Sequence, residues 1–147
     1  MNGDAAPAAS SPNWSVVSLN SIADHRGSLA VIEGGRDIDF EIRRTYHLFD
    51  VPSGSQRAGH AHKRLQQLYL APSGSFDVHL EDGTFSETVT MNRPNVALRI
   101  RPRVWRTIDN FSSGSVCFVL ASEHYSEDDY VRTHEEFVMR SGTGDWS

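Results

Sequence analysis

The segment Arg57-Ala58-Gly59-His60-Ala61-His62-Lys63 carries two histidines one residue apart. On a β-strand side chains alternate with period two, so His60 and His62 point to one face. Two imidazoles in one pocket do one of two jobs. They ligate a metal, or they take and return protons near neutral pH. The residues around them decide which.

Such a pair needs a frame, and most of the chain reads as short strands. Apolar or alternating runs occur at 14–19, 28–33, 43–51, 66–71, 76–80, 85–90, 96–100 and 115–121. Gly34-Gly35, Pro52-Ser53-Gly54, Pro72-Ser73-Gly74, Arg93-Pro94-Asn95 and Ser112-Ser113-Gly114 separate them as turn chemistry. Asp82-Gly83 between two alternating runs predicts a two-residue hairpin. Many short strands at this spacing predict an all-β sandwich or barrel in one domain, 14–140. A short helix is expected over 127–140, with Asp128 and Asp129 near its start. Residues 1–13, rich in Ala, Ser, Pro and Gly, read as a disordered lead, and 141–147 as a flexible tail.

Composition removes several function classes. The chain has 147 residues, a net charge of −5 and no basic tract, so nucleic acid is not an expected partner. No apolar run approaches membrane-spanning length, and the first residues lack the pattern of a secretory signal. Cys117 is the single cysteine, which excludes an intramolecular disulfide and a thiolate cluster. A soluble cytoplasmic protein is expected.

The spacing around the histidines resembles the two-part signature of the cupins, small jelly-roll β-barrels also called double-stranded β-helices. Gly54, His60, His62, Gln67 and Gly74 fall where the first part has Gly, His, His, Glu and Gly. Aligned on Asn110, the second part falls on Arg101 to Asn110, with Arg106 at the third histidine. Two of the four usual ligands are therefore replaced. An amide is a poor substitute for a carboxylate, and a guanidinium is cationic and cannot ligate. The frame is kept without its metal, so no metal and no cofactor are expected.

Further segments make the resemblance more specific. They are Asp24-His-Arg-Gly-Ser-Leu29, Arg44-Thr-Tyr-His-Leu-Phe49, Arg57 to Lys63, Leu98 to Trp105, Asn110-Phe-Ser112 and Val119 to Arg132. With these the chain resembles the nucleotide-sugar 3,4-ketoisomerases, the WxcM-like or FdtA-type cupins, over about 24–137. It departs from them in Arg-Ala-Gly-His, where many have Arg-Gly-x-His. It departs again in Pro-Arg-Val-Trp-Arg, where many have Pro-Gly-Val-Trp-His.

The resemblance implies conversion of a thymidine-diphosphate (TDP, also written dTDP) 4-keto-6-deoxyhexose to its 3-keto isomer through an enediol or enediolate, in deoxysugar biosynthesis. It implies His62 as the main carbon base, His60 as its partner in oxygen proton transfer, and Tyr46 as a donor to the developing enolate oxygen. Arg57, Arg106 and Arg26 are then candidates for the diphosphate, since a planar fork matches phosphate oxygens. Gln67 and Tyr69 are candidates for the sugar, and Trp105 for stacking on a ring. His47 is expected on the opposite face from Tyr46. A homodimer is implied, and the edge at 14–19 is a strand that could join a partner's sheet. The competing classes are a nucleotide-sugar epimerase, a metal-dependent cupin oxygenase and a sugar-binding module without turnover.

Overall fold

The computed structural model describes residues 11–147. The alternating runs fold as antiparallel strand: β1 (Trp14–Ser18), β2 (Asn20–Asp24), β3 (Gly27–Val31), β4 (Arg44–Phe49), β5 (Arg57–His62) and β6 (Gln67–Ser73). Then come β7 (Phe76–Glu81), β8 (Ser86–Met91), β9 (Val96–Ile100), β10 (Trp105–Asp109), β11 (Val116–Ala121) and β12 (Tyr130–Val131), followed by the helix α1 (His134–Thr143). One sheet runs β1-β9-β6-β11-β4 and the other β12-β5-β10-β7-β8, with β2 and β3 forming a separate hairpin. This is the expected all-β jelly roll with one short C-terminal helix. The strands β2, β5, β10 and β12 are additions to the apolar runs read from the sequence.

The core lies between the sheets. Tyr69, Leu98 and Val119 from the first meet Val78, Leu80 and Ile108 from the second in one buried cluster. Alternation sends the intervening residues outward. On the far face of the first sheet, Leu68, Leu70, Ala97 and Leu120 pack under Ile38 and the half-buried Phe40 and Ile42. On the far face of the second, Ala61 and Val131 pack under Phe137 of α1. Among the described residues no helix is long and apolar enough to cross a membrane.

Three local expectations change. The helix begins at His134 rather than at 127, because Tyr130 and Val131 pair with His62 and Ala61 as a strand. Thr133 then caps it, its hydroxyl accepting the Glu136 N–H at 3.2 Å, and Gly144 ends it in the left-handed conformation at φ 75°. The stretch read as a tail therefore continues the helix to Thr143, and Trp146 packs against Phe137. The Asp82-Gly83 hairpin has a four-residue loop, since Glu81 pairs with Ser86. There the Asp82 carboxylate accepts the N–H groups of Thr84 and Phe85. Of the N-terminal lead, 1–10 lie outside the described residues. Ser11 is buried and donates to Asp82, as does the Asn13 amide.

Candidate active site

One irregularity in β5 sets the site. In register with β10, His60 lies opposite Arg106, Ala58 opposite Thr107 and Arg57 opposite Ile108, so Gly59 is an extra residue. Ala58 and Gly59 absorb it with φ of 66° and 79°, the left-handed region that a β-bulge of this kind uses. Arg57 and His60 are three apart and would lie on opposite faces of a regular strand. The bulge puts both on the face of Ile108 and Arg106. Beyond it the period of two resumes: His62 joins His60 on the inner face, and Ala61 goes out to the helix.

The imidazoles meet as the sequence requires. Their ring centroids are 4.8 Å apart, edge to face, and the Tyr130 ring stands 5.0 Å from His60 and 4.4 Å from His62. Their positions differ from the expected order. His60 lines a cavity of about 590 Å³ between the sheets, and His62 is not part of its lining. His62 is fully enclosed. Its Nδ1 lies 3.0 Å from Oδ2 of Asp129, whose other oxygen accepts the Arg64 N–H at 2.7 Å. Burial pushes the Asp129 carboxyl up, but these hydrogen bonds outweigh it and leave it below its ordinary value. An ionised Asp129 makes Nδ1 the protonated nitrogen of His62, with Nε2 as a bare acceptor.

Behind the cavity runs a buried polar line. Tyr46 Oη accepts from Gln67 Nε2 at 2.8 Å, and Gln67 Oε1 accepts from Arg106 Nη1 at 3.0 Å. Gln67 and Arg106 are both fully buried and line no part of the cavity. Inward alternation on β6 and β10 turns both side chains to the interior between the sheets. Among the described residues, no group of three or more His, Cys, Asp or Glu is arranged to hold a metal ion.

Tyr46 and Tyr69 do reach the cavity wall, as does Arg57 at its rim. Burial raises both phenols, so they stay protonated at neutral pH. Trp105 and Arg26 lie elsewhere. Trp105 has the opposite parity to Arg106 and packs on Phe137 at 5.9 Å between ring centroids. Arg26 sits at the tip of the β2–β3 hairpin, exposed and paired with Asp24 at 2.6 Å. His47 faces out beside Phe118, as expected.

The sequence reading passed over four residues. Arg44 is two before Tyr46 on β4 and shares its face; parity alone would have found it. Its guanidinium carries two buried nitrogens, Nε and Nη2, with no hydrogen-bond partner. Arg132 lines the cavity two residues after Tyr130, its guanidinium 4.1 Å from the Tyr130 ring centroid and paired with Glu127 at 2.6 Å. Tyr130 and Asp129 were hidden by the misplaced helix start.

Electrostatics keep the imidazoles neutral. Burial first, then the Arg106 charge, lowers His60 to about 2. Burial lowers His62 to about 4, against the pull of Asp129, and Arg106 again opposes protonation. In the unfolded chain both return to about 6.5. Below that pH the unfolded state binds protons that the folded state refuses, so stability is complete above about pH 6.5 and declines as pH falls. Each histidine contributes a slope of about 1.4 kcal/mol per pH unit in its window. That window runs down to about 4 for His62 and about 2 for His60. Urea unfolding at pH 7 and pH 5 should show this loss, and replacing both histidines by asparagine should flatten it. An unchanged midpoint in the wild type would contradict the neutral pair.

Comparison with known proteins identifies the family. The family described as FdtA, WxcM-like, C-terminal, matches residues 12–141. A TDP-4-oxo-6-deoxy-alpha-D-glucose-3,4-oxoisomerase of Aneurinibacillus thermoaerophilus is 41% identical over 122 residues, 83% of this chain and 88% of the relative. The QdtA 3,4-ketoisomerase of Thermoanaerobacterium thermosaccharolyticum was solved as a histidine-to-asparagine variant in complex with TDP-4-keto-6-deoxyglucose. It superposes with a TM-score of 0.88 at 34% identity, over 91% of this chain and 97% of that one. The WlaRB TDP-quinovose 3,4-ketoisomerase of Campylobacter jejuni gives 0.83 at 40% identity, over 87% and 98%.

Proposed function

Because the chain belongs to the FdtA family of WxcM-like proteins, we propose that it is a metal-independent 3,4-ketoisomerase acting on TDP-4-keto-6-deoxyglucose. The observation that carries the reading is an imidazole, His60, on the wall of a cavity backed by the buried guanidinium of Arg106.

The reaction moves one hydrogen from C3 to C4 and another from O3 to O4. His60 takes the C3 proton as the C4 carbonyl becomes an enolate, and Tyr46 gives its hydroxyl proton to O4. The enediol then collapses the other way: O3 returns a proton to Tyr46 as C4 receives one from the His60 imidazolium. Both groups end as they began. The anion formed between these steps is stabilised by Arg106, whose charge is undamped by water. His60 rather than His62 serves the carbons in this scheme, supported by its place on the cavity wall. His62, tautomerically fixed by Asp129, positions its neighbour.

Arg44, Arg57 and Arg132 form the cationic side of the same cavity and suit the diphosphate. Arg44 supports this most, because its two unpartnered buried nitrogens call for an anion. The reading also includes a cytoplasmic setting, with a nucleotide sugar rather than nucleic acid as ligand, and a homodimer. Exposed Val16, Ile22 and Leu29 on β1 and the β2–β3 hairpin support the second copy.

The direct test is proton NMR of the purified chain with TDP-4-keto-6-deoxyglucose in deuterium oxide. A 3-keto product is expected, with solvent deuterium at C4 wherever the His60 imidazolium exchanges before it returns the proton. A product with its ketone still at C4 and an inverted centre would make the protein an epimerase. Neither product nor exchange would leave a binding module.

A further inference from the structure

The buried line from Arg106 to Tyr46 has a direction. A guanidinium only donates, so the Gln67 atom 3.0 Å from Arg106 Nη1 is the carbonyl oxygen. That fixes the amide nitrogen against Tyr46, 2.8 Å from its hydroxyl. An amide N–H also only donates, so the phenol oxygen accepts there and its single hydrogen must leave in another direction. Tyr46 and Tyr69, its other hydrogen-bond neighbour, both line the cavity; Gln67 does not.

We propose that Gln67 is the positioning residue for Tyr46: clamped by Arg106, its amide occupies the phenol oxygen and turns the hydroxyl hydrogen into the cavity. The proposal rests on the ketoisomerase reading, in which that hydrogen travels between O3 and O4. It also accounts for the residue type. A glutamate of the same length accepts from both neighbours. It would pair with Arg106 and draw the Tyr46 hydrogen inward, away from any substrate. An amide is the one side chain of this length that accepts at one end and donates at the other.

Gln67→Glu tests this with almost no change of shape, and its new pair with Arg106 should hold the fold, checked by thermal unfolding. We expect kcat to fall by at least about 10²-fold, the usual cost of one lost oxyanion donor, with KM within about threefold. Gln67→Met, which frees the hydroxyl without capturing it, should retain more activity than Gln67→Glu. A readout without turnover is the ionisation of Tyr46, followed by NMR of the chain labelled at the tyrosine Cζ. It should move to higher pH in Gln67→Glu, where the phenol hydrogen bonds a carboxylate. Wild-type-like turnover in Gln67→Glu, a Gln67→Met enzyme slower than Gln67→Glu, or an unmoved Tyr46 titration would each overturn the proposal. An inactive wild type would instead sink the ketoisomerase reading, while the Tyr46 titration would still decide the orientation.

Discussion

His60→Asn should all but abolish turnover, lowering kcat by about 10³- to 10⁴-fold, the upper range for loss of a general base. Asparagine keeps much of the imidazole's shape and none of its basicity. KM should change little, because in the proposed reading the diphosphate is bound by Arg44, Arg57 and Arg132 and not by His60. Exchange of the C3 hydrogen with deuterium oxide should stop with it. His62→Asn should lose less, since His62 is enclosed behind His60 and does not line the cavity. The comparison is made in one assay: deuterium uptake at the sugar carbons, with both variants beside the wild type. If His62→Asn stops exchange and His60→Asn does not, the roles are reversed and the order implied by the sequence holds.

Arg106→Met should separate rate from stability. Arg106 is fully buried, and among the described residues no carboxylate pairs with it; its Nε and Nη2 have no partner. A charge held this way is costly to the fold. Methionine fills a similar volume without the charge. Removing the guanidinium also deprives Gln67 Oε1 of its donor, at about 1 kcal/mol. The net expectation is a gain of about 1–3 kcal/mol in unfolding free energy at neutral pH, by analogy with apolar replacement of buried ions. Activity should move oppositely, with kcat falling about 10²-fold as the enediolate loses its stabilising charge. The imidazoles should also accept protons more readily, because Arg106 opposes protonation of both. The acid limb of the rate profile should therefore shift to higher pH. Urea unfolding together with a pH–rate series checks both halves. A less stable variant with undiminished rate would remove Arg106 from this role.

What could be read from the sequence followed periodicity. The inward pairing of His60 with His62, the outward turn of His47, and the inward turn of Gln67 and Arg106 all follow from side-chain alternation and the cupin spacing. Periodicity gave no warning where pairing overrode it. Tyr130 and Val131 fit a helical pattern, yet the exposed edge of β5 recruits them as strand. That misreading concealed Asp129 and Arg132 together. Trp105 failed as a ring-stacking candidate for a simpler reason. It adjoins Arg106 on β10, so the two cannot share a face. Nor does residue type reveal whether a polar side chain meets a ligand or supports one that does. Gln67 and Arg106 turn inward as alternation requires, but their full burial depends on the opposing sheet.

The extra residue at Gly59 makes chain length at this point as consequential as chemistry. Shortening the segment by one would leave both imidazoles inside and swing Arg57 to the solvent side, stripping a cation from the mouth without altering a single side chain of the site. Gaps are usually harmless in surface connections. Here a gap would rewrite which residues serve the ligand, so relatives that keep every signature residue but differ by one in this count should handle their nucleotide differently.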